Sequence, residues 1–240
     1  MKAHKNKFFN IASAQRERTS AMSAGLVGSR AKKLVRKKQE VEIKVLEVSK
    51  SVFLKKMREI GAKKEYSVLV KVKYFDFEDR RIHGKRDLLR VREFTFLPGR
   101  KQKTEVVYKA YKCVKGGCKF FDEFEFVAEG DESFKNICAF FGQLGFVETV
   151  YYEKKRTLFK YKDWKFEFDE HPRIPSFFEI EAKNAKKVME AVRLLKLEKF
   201  EKTPESIGQL LKRKYPEISL NGLVWYHSTV RQAHGKRSSG

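Results

Sequence analysis

From residue 40 onward the chain is written in alternation. Apolar and polar positions trade places every second residue over 40–47 (EVEIKVLE), 68–77 (VLVKVKYFDF), 88–96 (LLRVREFTF) and 104–112 (TEVVYKAYK), and the same texture recurs over 118–127, 148–160, 163–169 and 176–182. A period of two sends successive side chains to opposite faces of a strand. Eight strands are therefore predicted, enough to close a barrel. Between them the period turns helical. Ser49 or Ser51 is placed to cap a helix whose Val52, Phe53, Met57 and Ile60 share a face and which Gly61 stops. Asp131 is placed to cap a second, with Phe134, Ile137, Cys138, Phe141 and Leu144 inward and Gly145 at its end. A third runs from about Asn184 to Leu195 on a stripe of Val188, Met189, Val192 and Leu195, and Thr203-Pro204 opens a fourth, since proline fits the first helical position. The first helix ends IGA and leads into VLVKVKY, the second ends LGF and leads into VYYEKKRTLFKY, a textural hint of two equivalent halves.

The polar faces carry charge in same-sign pairs, paired acids on the first and last strands and paired bases on others. Glu40, Glu42 and Lys44 share a face opposed by Val41, Ile43 and Val45; Arg90 and Arg92 are opposed by Leu89 and Val91; Glu179 and Glu181 by Phe178 and Ile180. Lys154 and Arg156, Lys109, and the pair Glu123 and Glu125 follow the same rule. For any single strand an ordinary wet face explains this. Taken together, four amphipathic helices need an apolar wall to dock on, and that requirement turns the charged faces inward. The fold expected is α+β: a closed antiparallel eight-stranded barrel with a charged interior and helices packed outside. Like charges crowded at low dielectric repel, so the natural filling is a polyanion together with divalent cations. Arginine forks match phosphate oxygens and lysine adds mobile charge, whereas carboxylate pairs suit a hard cation such as magnesium or manganese (Mg2+ or Mn2+).

Composition adds direction. The net charge of the 240 residues is +23, and residues 1–39 hold eleven Lys/Arg against one Glu, while residues 226–240 hold three Lys/Arg and no acid. Residues 1–38 read as a basic, disordered or partly helical arm, 39–215 as the folded domain and 216–240 as a basic tail. Such charge implies polyanionic ligands without choosing among them. Trp225 and Tyr226 are candidates for stacking on nucleic acid, against the blander reading of both tails as solvated extensions. The absence of an apolar run of membrane-spanning or signal-peptide length gives the expectation of a cytoplasmic protein with no membrane partner. Cys113 and Cys118 are open to a hairpin disulfide or a metal, with two reduced thiols beside a turn as the plainer reading, and Cys138 has no partner motif. His83 and His171 read as loop histidines, and Gly116-Gly117 as a hairpin turn rather than a phosphate loop, since no helix follows.

In order along the chain, E-V-E-I-K at 40–44, KYFDFED, LLRVR, VVYK, DEFEF, LGF, EKKR, FEFD and FFEIE resemble the CYTH family, also called triphosphate tunnel metalloenzymes. The family includes class IV adenylate cyclases, thiamine triphosphatases and inorganic triphosphatases. The resemblance covers roughly residues 39–215. It implies that Glu40, Glu42, Asp169, Glu179 and Glu181 hold metal, that Lys44, Arg90, Arg92, Lys109, Lys154 and Arg156 grip a triphosphate, and that Glu40, Glu42 and Lys44 sit at the chemistry. Glu123 and Glu125 match a supporting acidic pair. Related sequences often carry arginine two positions before that pair; here Phe121 stands there, and Lys119 is the nearest base on that face. The preferred function is hydrolysis of inorganic or small organic triphosphates. A class IV adenylate cyclase is the runner-up, weakened by the lack of a His-Phe dipeptide before E-V-E-I-K. A non-catalytic binder of RNA or polyphosphate is the reading from a different class.

Overall fold

A computed structural model describes residues 36–99 and 101–225 of the chain. Its elements run β1 (Arg36–Val45), α1 (Lys50–Glu59), β2 (Lys63–Asp76), α2 (Arg81–Gly84), β3 (Leu88–Phe96), β4 (Gln102–Lys115), β5 (Cys118–Ala128), α3 (Ser133–Gln143), β6 (Val147–Tyr161), β7 (Trp164–Glu170), β8 (Phe177–Ala182), α4 (Ala185–Leu194), β9 (Lys202–Thr203) and α5 (Ile207–Lys214). The strands neighbour one another in the order β5-β4-β3-β2-β6-β7-β8-β1, and pairing of β5 with β1 closes the barrel; the short β9 adds to β1. This order is unchanged when β1, β2, β3 and β4 are exchanged for β5, β6, β7 and β8. The two halves meet at the long antiparallel pairing of β2 with β6, each of which follows a helix and a left-handed glycine, Gly61 and Gly145.

Register fixes which way each strand faces, because residues directly opposite share a side. Val41, Ile43 and Val45 of β1, Phe166 and Phe168 of β7, and Phe178 and Ile180 of β8 form the outer wall, where Phe53 and Met57 of α1 and Val188, Ala191 and Val192 of α4 pack against them. Phe53 lies 4.8 Å from Phe168 and 5.1 Å from Phe178, ring centre to ring centre. Helix α3 covers Phe75, Val91 and Val106 on another part of the wall.

Strand β2 reverses the expected rule. Val68 and Val70 lie opposite Arg156 and Lys154, and Val72 opposite Arg92, so the aliphatic face of β2 points into the barrel. Its lysines point out, Lys71 pairing with Glu93 at 2.6 Å and Lys73 with Glu148 at 2.8 Å. The inward valines are covered by Ile207, Leu210 and Leu211 of α5 and by Leu223. One sector of the interior is thus apolar, which alternation alone left undetermined.

Smaller departures have local causes. Thr203 does not open a helix: it pairs with Lys44 in β9, its hydroxyl accepts from the Glu205 N–H at 3.1 Å, and Ser206 with Gln209 forms the capping box of α5. A turn, with the Ser133 N–H bonded to the Gly130 carbonyl, delays α3, so its cap position is Glu132 rather than Asp131. Val52 and Leu144 are exposed at 37% and 54% instead of facing inward. Residues 216–225 continue the packed domain where the sequence reading begins a tail: Ile218 and Leu220 join the α5 cluster, Leu223 is fully buried, and the Gly222 N–H donates to the Tyr151 carbonyl at 2.8 Å. Arg36, Lys37 and Lys38, read as the end of the basic arm 1–38, belong to β1; the rest of that arm, residues 1–35, and residues 226–240, Tyr226 among them, lie outside the described residues. Among the described residues no helix is long and apolar enough to cross a membrane.

Candidate functional site in the barrel lumen

The alternating faces carry their charge into the lumen, where cations and carboxylates pair across strands. Arg92 of β3 meets Glu105 of β4 at 2.7 Å, and Lys103 meets the same carboxylate at 2.6 Å. Lys109 of β4 contacts Glu40 of β1 and lies 3.0 Å from Glu123 of β5. Lys44 stands 2.9 Å from Glu179 and 3.6 Å from Glu42. On β6, Lys154 holds Asp169 at 2.7 Å, while the Arg156 fork grips Asp169 at 2.6 and 2.5 Å, reaches Glu179 at 3.0 Å and contacts Glu167. Lys38 joins Glu123 at 3.0 Å and Glu181 at 3.6 Å. The crowding of like charge expected of an empty tunnel is therefore relieved internally, by ion pairs.

This network sets the protonation states. Burial works against charge on Asp169, but Arg156 and Lys154 hold its carboxyl below the usual range. Burial and then Arg92 and Lys103 act on Glu105, whose net position falls to about 2. Glu40 goes the other way: burial and the carboxylates Glu42, Glu123 and Glu181 push it up to about 7 against the pull of Lys109. Lys154 is lowered to about 8 by burial and by Arg156, and Lys119 to about 8 by burial and by Lys44. Lys44 is raised, since Glu179 and Glu42 outweigh its burial.

Two observations bear on what the lumen can hold. Among the described residues the buried Nε atoms of Arg90 and Arg92 have no hydrogen-bond partner, which leaves donors suited to an acceptor such as phosphate oxygen. In addition, Glu42 lies directly opposite Glu181, and Glu167 opposite Glu179. Facing carboxylates are unfavourable alone, and their hard oxygen donors suit a divalent cation. Among the described residues no group of three or more His, Cys, Asp or Glu side chains is gathered as a metal cage. The donor chemistry fits such an ion, while Lys44 and Arg156 occupy the acids Glu179 and Asp169 that would join in holding it.

All the residues assigned in the sequence to metal, triphosphate or the supporting acidic pair lie on strands of the barrel, and Glu40, Lys44, Arg92, Lys109, Glu123, Lys154, Arg156 and Asp169 are buried there. Glu42, Arg90, Glu125, Glu179 and Glu181 share their faces and are partly buried. Sequence reasoning missed Glu105, Glu167 and Lys38 as members of the network. The signal was present, since Glu105 alternates with Lys109 on TEVVYK, Glu167 with Asp169 on FEFD, and Lys38 with Glu40. His171 lies in the loop after β7, as read from the sequence, but is buried there between Tyr152 and Phe177, 5.9 and 5.2 Å between ring centres, and burial lowers it to about 3. His83 is exposed on α2. Cys113, Cys118 and Cys138 are free thiols, and Gly116 and Gly117, both at positive φ, make the β4–β5 turn. Trp225 is docked on the barrel, its ring 4.5 Å from the Lys155 ammonium.

The CYTH domain matches residues 38–207. The chain belongs to the CYTH family. Solved structures share the CYTH fold at low identity. The PH1819 protein of Pyrococcus horikoshii OT3 is 24% identical with a TM-score of 0.58, covering 73% of this chain and 99% of its own. A candidate adenylate cyclase of Vibrio parahaemolyticus is 15% identical with a TM-score of 0.57, covering 72% and 97%. HpAC1 of Hippeastrum, described as a candidate adenylyl cyclase with a dominant triphosphatase activity, is 16% identical with a TM-score of 0.56, covering 72% and 95%. No protein of curated function matches the chain.

Proposed function

We propose that this CYTH protein is a divalent-metal-dependent triphosphatase acting on inorganic or small organic triphosphates. The observation that carries the reading is the closed lumen, in which the Arg92 cation of β3 meets a carboxylate of β4, Lys109 of β4 meets carboxylates of β1 and β5, and Arg156 of β6 meets carboxylates of β7 and β8. Arg90, Arg92, Lys109, Lys154 and Arg156 would bind the phosphate chain and orient it, the arginines through paired N–H groups and the lysines as point charges. Asp169 keeps Lys154 and Arg156 in place, and Glu123 does the same for Lys109. Glu40, Glu42, Glu179 and Glu181 would hold magnesium or manganese, which when bound neutralises phosphate charge and lowers the pKa of an attacking water. Lys44, between Glu42 and Glu179, would release those acids and meet the phosphate chain from the same side. Burial around these groups strengthens each electrostatic contact relative to water.

A class IV cyclase would use the same grip but needs a wall for the nucleoside. The apolar inner face of β2 is such a wall, and α5 with Leu223 already covers it, which favours hydrolysis. Product analysis with tripolyphosphate and with ATP, in magnesium or manganese, tests the assignment. Orthophosphate is expected from tripolyphosphate, and cyclic AMP as the main product from ATP would overturn the hydrolase.

A further inference from the structure

The lumen cations divide by whether a carboxylate holds them. Among the described residues, each of the ion-paired bases named above has an acid within 4.0 Å, whereas Arg90 and Lys119 have none. Arg90 already belongs to the phosphate grip, but Lys119 has no role in it. Lys119 is only 8% exposed and sits on the inward face of β5, two residues before Phe121 and four before Glu123. Its ammonium lies 5.7 Å from the Phe121 ring, and the Lys109 ammonium lies 5.4 Å from the same ring. Phe121 is braced edge-on by Tyr111 at 6.0 Å. The adjoining β4–β5 hairpin is seated closely: a Cβ on Gly116 would come 3.4 Å from Ala185 and one on Gly117 3.9 Å from Ile43.

An ammonium buried without a carboxylate is unfavourable in a protein selected for stability alone. The aromatic face offsets part of that cost and leaves the positive charge un-neutralised. Lys44 and Lys109 stand nearby with the same sign and Glu42 and Glu179 with the opposite one, but neither acid is within ion-pair distance of Lys119, and both lie closer to Lys44. An anionic ligand is what this arrangement lacks. Resting on the triphosphatase reading, we infer that Lys119 is a further triphosphate-binding residue of this lumen, gripping the phosphate chain at the β4–β5 end, and that Phe121 keeps its ammonium free for that purpose. The substrate class follows: a polyanion whose charge density matches clustered ammonium groups, such as a linear oligophosphate.

The test compares wild type, Lys119→Met and Lys119→Arg in the full chain, with tripolyphosphate hydrolysis and calorimetric binding of tripolyphosphate as readouts. Lys119→Met should raise KM and Kd about tenfold or more, as loss of a charged hydrogen bond does, with a smaller fall in kcat, and Lys119→Arg should restore most of the affinity. The melting temperature of Lys119→Met should equal or exceed that of wild type, because no acid is left unpaired. A lower melting temperature with unchanged Kd would assign Lys119 a structural role and overturn the inference. Unchanged Kd at unchanged stability would also overturn it, while leaving the triphosphatase reading intact. Absence of tripolyphosphate binding and turnover by wild type would sink both.

Discussion

Glu42 and Asp169 carry the same charge into the same lumen and are held there in different ways. Asp169 is fully buried and grips both Lys154 and Arg156, whereas Glu42 is partly buried and stands 3.6 Å from Lys44 alone. Asp169→Asn would leave two buried cations short of an anion, and a loss of about 3–5 kcal/mol in urea unfolding is expected. Glu42→Gln should leave the unfolding curve within about 1 kcal/mol of wild type while abolishing metal-dependent turnover. Unchanged turnover would count against Glu42 as a metal ligand. Asp76 supports the fold at the end of β2: its carboxylate accepts from the N–H groups of Phe77, Ile82 and His83 at 2.8, 3.0 and 2.9 Å. Although burial opposes it, these donors lower its pKa. Its contribution is therefore complete above the unfolded carboxyl value of about 4 and fades as pH falls through the lower folded value. Asp76→Ala should cost about 1–3 kcal/mol at neutral pH and progressively less in acid, measured by urea unfolding across pH. At this scale alternation revealed which charges share a face, but not their partners. Glu105 and Glu167 became visible as ligands of Arg92 and Arg156 only once cross-strand register was known.

At the scale of elements, the strands were legible because two-residue alternation survives in nearly all of them, and α1 and α4 because Ser49 and Asn184 cap a clear stripe. What misled was β2 and the chain after residue 203. The valines of β2 are apolar like those of β1, and nothing local says that one set faces out and the other in; α5 makes the difference. If α5 is a core element, Leu211→Ala should cost about 2–5 kcal/mol, and Ser206→Ala about 1 kcal/mol through the lost cap, both read from thermal or urea unfolding. A value near zero for Leu211→Ala would contradict the packing of α5 on β2. The turn after β4 offers a sharper test. Gly117 has φ +73, so Gly117→Ala should lose about 1–2 kcal/mol even though a Cβ there meets only Ile43 at 3.9 Å.

For the whole molecule, closure turns a set of half-polar strands into a site. An open sheet would leave the same charges in water, where they bind weakly; pairing β1 with β5 gathers them around one axis. The exchange symmetry of the strand order matches the repeat of helix, glycine and basic strand seen in the chain, and the charges depart from it, since β7 and β8 of the second half carry acids where β3 of the first carries arginines. The same-sign pairs were readable from residue order; the internal ion pairs they make with opposite charges, such as Lys38 on β1 and Glu105 on β4, were not, because those depend on which strands become neighbours. The most direct test is calorimetric titration of tripolyphosphate into the full chain, with and without manganese, for wild type and for Arg90→Met, which removes a cation that no carboxylate holds. The account predicts saturable binding that manganese strengthens and that Arg90→Met weakens about tenfold or more. Binding that does not saturate, or that is equal in the two proteins, would contradict a triphosphate site in the lumen.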